Sequence, residues 1–143
     1  MIKVYKNFFL MLGVSVLLCL SVSVVWSETM NNLVERDGLY YKKLSYVPFT
    51  GKVEGKHQGF IMNGKIEGSW VTYYENGQVE SKGNFKNGKR EGFWIYYRDN
   101  GKLFFKGNYK NNLREGSWEG EKGDDGSTHY FFTGTYKEGK KIR

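Results

Sequence analysis

The chain has 143 residues, 17% of them aromatic, and carries 22 Lys+Arg against 15 Asp+Glu; the length suits one domain, or one domain plus a processed segment. The basic residues are interspersed with acids and cluster no further than pairs such as Lys89-Arg90 and Lys140-Lys141; a nucleic-acid binder concentrates such charge on one face or in one run, so that class is set aside. The sole cysteine, Cys19, lies in an N-terminal apolar stretch, and without that stretch the chain has no thiol for a disulfide, a nucleophile or a thiolate metal site.

In chain order, Met1–Lys6 holds two lysines, and Phe8–Val25 is uncharged and apolar apart from three serines. This is the layout of a secretory signal, expected as a helix over 1–27 with cleavage after Ser27. A lipoprotein reading would use Cys19, but Leu17-Leu18 precede it where a small residue is normal. An uncleaved anchor is the alternative, since the apolar run is about the length of a span. Lys3 and Lys6 stand on its N-terminal side and the next basic residue is Arg36. Positive charge stays in the cytoplasm, so either reading places the rest of the chain outside: periplasmic, at the cell surface, secreted or anchored. Residues 28–37 (ETMNNLVERD) read as a polar tether, and residues 38–143 as the folded domain.

That domain repeats. Trp70, Trp94 and Trp118 stand 24 residues apart, and Glu67, Glu91, Glu115 and Gly68, Gly92, Gly116 keep the same step. Asn63–Lys86 (NGKIEGSWVTYYENGQVESKGNFK) and Asn87–Lys110 (NGKREGFWIYYRDNGKLFFKGNYK) are the clearest units. A third begins at Asn111 and is three residues longer. Residues 38–62 form a degenerate opening unit, with Gly59 and Ile61 at 24 before Gly83 and Phe85; terminal repeats deviate because they cap the stack. Nineteen glycines against one proline, between aromatic and β-branched runs, predict short strands and tight turns.

Asn76-Gly77 and Asn100-Gly101 predict two-residue type I′ hairpin turns. Folding about the first sets Gly68 opposite Phe85, Trp70 opposite Gly83, Thr72 opposite Ser81 and Tyr74 opposite Val79. Folding about the second sets Gly92 opposite Tyr109, Trp94 opposite Gly107, Tyr96 opposite Phe105 and Arg98 opposite Leu103. In the third unit a longer tip at 123–127 sets Trp118 opposite Gly134 and Gly116 opposite Tyr136. Each indole is expected to cover the bare glycine across from it. Gly64 and Gly88 are replaced by Asn112 in the third unit; asparagine tolerates positive φ best after glycine, so this turn is expected to need a left-handed residue. An even repeat length puts Trp70, Trp94 and Trp118 on one face with Phe85, Phe105 and Tyr109. That face is expected to be buried. The other, with Val71, Tyr73, Ile95 and Tyr97 beside Glu80, Lys82 and Lys106, is expected to be partly wet.

The runs NGKIEGSWVTYYENG and NGKREGFWIYYRDNG resemble the MORN repeat, more closely its bacterial variant, over roughly residues 38–140. GLYY (38–41) followed by PFTGKV (48–53) resembles the opening of such proteins. The resemblance implies an all-β fold, an elongated twisted antiparallel sheet of successive hairpins, with no cofactor. It implies protein or lipid contact and scaffolding; some bacterial members are labelled antitoxin components, a cytosolic role that an exported leader opposes.

Chemistry is sparse. His57 and His129 are 72 residues apart and there is no HExxH, so no metal site is expected. The row Glu67, Glu91, Glu115 would stand ~9–10 Å apart if each hairpin adds two strands, a separation that inverting glycosidases use. The row repeats with the fold, however, and Lys65, Lys89, Arg90 and Arg114 stand beside it. Tyr73, Tyr97 and Phe104 are the candidate contact surface, with ordinary sheet packing the other reading. The expectation is therefore a non-catalytic extracytoplasmic module that binds another envelope protein; the alternative is recognition of an envelope glycan or an acidic membrane surface.

Overall fold

The protein is described by a computed structural model that covers residues 26–121 and 133–143. The signal helix expected over 1–27 lies, except for its last two residues, outside the described residues, as do His129 and the tip expected at 123–127.

The strands run β1 (Ser27–Thr29), β2 (Leu33–Arg36), β3 (Leu39–Lys42), β4 (Gly51–Glu54), β5 (His57–Met62), β6 (Lys65–Tyr73), β7 (Val79–Lys86), β8 (Lys89–Tyr97), β9 (Leu103–Lys110), β10 (Leu113–Gly120), β11 (Gly134–Lys137) and β12 (Lys140–Lys141). From β4 to β12 each strand hydrogen-bonds the next, antiparallel, in one long sheet. Away from the hairpin tips the registers are those expected: Gly68↔Phe85, Trp70↔Gly83 and Thr72↔Ser81; Gly92↔Tyr109, Trp94↔Gly107 and Tyr96↔Phe105; Gly116↔Tyr136 and Trp118↔Gly134. At the tips the register shifts by one, so that Tyr73, not Tyr74, pairs Val79 and Tyr97, not Arg98, pairs Leu103.

Three expectations are corrected. The sheet is not wholly antiparallel or single: β1 joins its edge parallel to β4, and β2–β3 form a separate hairpin. Residues 28–37 are not a tether. They make β1, a 3-10 turn at Met30–Asn32, and β2, because Leu33 is buried and Met30 packs against the core with it. Glu28 also accepts from Asn32 at 3.0 Å and meets Lys42 at 2.5 Å. The point after Ser27 therefore falls inside a paired strand, and the Trp26 carbonyl accepts the Lys52 N–H at 2.8 Å.

The third correction concerns the turns. At Asn76-Gly77 the Gly77 N–H reaches the Tyr74 carbonyl (3.0 Å), the Tyr74 N–H reaches the Gln78 carbonyl (2.8 Å), and only Gly77 has positive φ. This is a three-residue loop, a type I turn followed by a left-handed glycine, and Asn100-Gly101 repeats it. Both residues have positive φ in the two-residue turns between units, Asn63-Gly64, Asn87-Gly88 and Asn111-Asn112, where Asn112 has φ 69°, and likewise in Asp37-Gly38 and Glu138-Gly139.

Candidate binding surfaces

The motif Glu-Gly-x-Trp has a specific geometry. Between β7 and β8, Lys82 pairs Ile95 and Asn84 pairs Glu91, so Gly83 alone stands against Gly92, Phe93 and Trp94. Gly59 stands in the same way against residues 68–70, and Gly107 against residues 116–118. These are β-bulges, which re-aim a side chain. Gly92 opens its bulge at φ 70°, a left-handed value that glycine adopts without strain. The bulge swings Trp94 back over the preceding unit. A methyl group built on Gly83 would fall inside the Trp94 indole; Gly107 has the same relation to Trp118, and Gly59 to Trp70.

This alters the expected pairing of rings and glycines. Trp70 is Gly83's register partner, but Trp94 covers it; Trp94 faces Gly107, but Trp118 covers it; and Gly134 faces the Arg143 carbonyl and Lys141 instead of an indole. The indole N–H groups follow, Trp94 donating to the Asn84 carbonyl and Trp118 to the Asn108 carbonyl, both at 3.0 Å. Each tryptophan thus joins its unit to the one before.

The six repeat aromatics form one continuous ladder, with ring centroids 6.1 Å apart for Trp70–Phe85, 5.1 Å for Phe85–Trp94, 6.2 Å for Trp94–Tyr109, 4.9 Å for Tyr109–Trp118 and 6.4 Å for Trp118–Tyr136. All five contacts are edge-to-face, a geometry aromatic quadrupoles favour. Arg90 lies along this face, donating to the Tyr96 hydroxyl (2.9 Å) and the Tyr109 hydroxyl (3.1 Å). Burial opposes its charge, but the phenol oxygens outweigh that and raise its pKa. Burial, reinforced by Tyr109, holds the Tyr96 phenol well above its ordinary value. A groove of about 390 Å³ opens here, lined by Tyr40, His57, Ile66, Arg90 and Tyr96 among others. His57 stacks on Trp70 at 6.2 Å, and burial, with Lys56 second, lowers its pKa.

The glutamate row has a structural task. Glu67 accepts the N–H of Asn87 (2.7 Å), Glu91 that of Asn111 (2.9 Å) and Glu115 that of Glu138 (2.9 Å). Each carboxylate caps the next two-residue turn. The second residue of each turn bonds back as well, Gly88 to the Ile66 carbonyl, Asn112 to Arg90 and Gly139 to Arg114. The 24-residue period of Glu was visible in the sequence, but its partner lies in the next unit and needed coordinates.

The opposite face is open. Phe93 is 52% exposed and stands among Val71, Ile95 and Tyr97, which are half-buried. With Lys82 and Asn84 they line a groove of about 470 Å³. Of the three candidate contact residues, Tyr73 and Tyr97 lie half-buried in strands of this sheet, and Phe104 is packed on Phe105 with the Arg98 guanidinium 4.9 Å over its ring. Phe93 was not among the candidates. The bulge that gives it a separate direction from Trp94 depends on pairing between units. Among the described residues, no three His, Cys, Asp or Glu side chains gather as metal ligands, and no helix is long and apolar enough to cross a membrane.

A family model described as the MORN repeat variant matches residues 66–87 and 90–111. Over those residues the chain is similar to MORN-variant repeats. The two matches begin at Ile66 and Arg90, just after the turn of each complete unit, and run through the Trp70 and Trp94 bulges to the next turn. Neither the curated proteins nor the solved structures yielded a match. MORN repeats are in general modules that bind proteins or membranes.

Proposed function

We propose that this chain is a non-catalytic MORN-variant module, held outside the cytoplasm, that binds another envelope protein through the sheet face opposite its tryptophans. The observation that carries the reading is Phe93, a large exposed ring centred among half-buried apolar neighbours. Exposed aromatics so placed are typical anchors of protein interfaces. The non-catalytic reading is supported by the occupied glutamate row, and the location by the leader pattern of residues 1–27. A photo-crosslinking residue at position 93, compared with one at Glu35, which is exposed beside the groove on the tryptophan face, tests the proposal in intact cells. Adducts specific to position 93 and lost in Ile95→Asp are expected; the same adducts from both positions, or none, would count against it.

A further inference from the structure

The most exposed apolar side chains of the described chain are not in the repeats. They sit in the loop between β3 and β4, where Leu44 is 101% exposed, Tyr46 89% and Val47 74%. A single exposed leucine would need no explanation, but a cluster of this kind marks a contact. The loop is also held in shape. Arg36 donates to the Ser45 carbonyl and lies over the Tyr41 and Tyr46 rings at 4.2 and 5.4 Å. Ser45 Oγ accepts the Val47 N–H at 3.1 Å, and Lys43 N–H donates to the Asn32 carbonyl at 3.1 Å. Leu44 itself is at φ 64°, a left-handed conformation that a leucine rarely adopts. Strain and exposed apolar area kept together point to a partner that rewards them.

Three observations select the partner. Trp26 is 60% exposed, and the Lys42 ammonium, at the foot of the loop, lies 4.6 Å over its ring. The side chains on offer are Trp, Tyr, Leu and Val, with Lys42 and Lys43 beside them, which is the chemistry of a lipid–water interface. And Trp26 directly follows the uncharged apolar stretch Phe8–Val25.

We infer that Leu44, Tyr46 and Val47, with Trp26, form a membrane foot: a preformed loop that dips into the outer interface of the bilayer beside the N-terminal apolar segment. The foot rests on the reading of that segment as membrane-entering. It fixes one end of the sheet at the lipid surface and leaves the Phe93 face for a protein.

The test uses the full chain with Cys19→Ser, mixed with vesicles of phosphatidylethanolamine and phosphatidylglycerol. Single cysteines at Leu44, Val47 or Phe93 carry a nitroxide label. Pelleting with vesicles reports the apolar segment; the accessibility of each label to oxygen against a polar nickel chelate reports depth. Labels on Leu44→Cys and Val47→Cys are expected to favour oxygen, and the label on Phe93→Cys the chelate. If the chain pellets but labels 44 and 47 are as open to the chelate as label 93, the foot is wrong and the segment reading stands. If the chain does not pellet, both fall.

Discussion

Phe93 and Trp94 are adjacent in the chain and both large aromatics, yet one is 52% exposed and the other 3%. They stand for the two faces of the sheet. On the tryptophan face every large ring touches another and each indole rests on a glycine of the unit before it. On the Phe93 face Val71, Ile95 and Tyr97 lie half-covered along the strands. Strand alternation separates the faces, and the bulge at Gly92 widens the separation by turning Trp94 inward over Gly83. Buried packing is thus concentrated on one side and exposed apolar area on the other.

Substitutions should divide along the same line. Trp94→Ala should cost ~3–5 kcal/mol in urea unfolding, the usual loss for a buried tryptophan; a loss below ~1 kcal/mol would mean that the ladder is not the core. Gly83→Ala should cost ~1–3 kcal/mol by overpacking against the Trp94 ring. Glu91→Ala removes a cap from the Asn111 turn and should cost ~1 kcal/mol, read as a lower melting midpoint with activity toward any partner retained. Phe93→Ala should stay within ~0.5 kcal/mol of the parent while it weakens partner binding, and the reverse pattern would merge the two faces.

The smallest effect is one of pH. His57 is half-covered on Trp70, and its pKa is depressed below the ordinary 6.5. Between the folded and unfolded values the unfolded chain binds more protons, so stability rises with pH. The contribution is complete above about pH 6.5 and is lost as pH falls through the lowered folded value. His57→Gln should flatten that slope in melts taken from pH 7 to 5; an unchanged slope would assign it to other groups.

Much of the fold was legible in the residues. The 24-residue step fixed the unit, and the pairs Trp70↔Gly83, Trp94↔Gly107 and Trp118↔Gly134 follow from folding each unit on itself. What was not legible lies between units. Asn-Gly occurs both at Asn76-Gly77 and at Asn87-Gly88, but the first closes a three-residue loop and the second a two-residue turn. The dipeptide permits both, and strand register decides. The ring that covers Gly83 comes from 11 residues downstream, through a bulge whose sequence sign, Glu-Gly-x-Trp, says nothing of the strand it leans on. The return of residues 27–42 onto the sheet has no local pattern either, since a parallel pair such as β1–β4 needs no turn signal. The exposed loop at Leu44–Val47 was equally hidden, because its residues are ordinary in composition and unusual only in exposure.

A double-mutant cycle reaches the central claim most directly: each indole is packed on the glycine of the preceding unit. Gly83→Ala would be combined with Trp94→Phe and, separately, with Trp70→Phe, and the unfolding free energies compared. Coupling of ~1 kcal/mol or more with Trp94, alongside near-additivity with Trp70, is the expected result. Coupling with Trp70 alone would put the ring back inside its own hairpin and contradict the packing described.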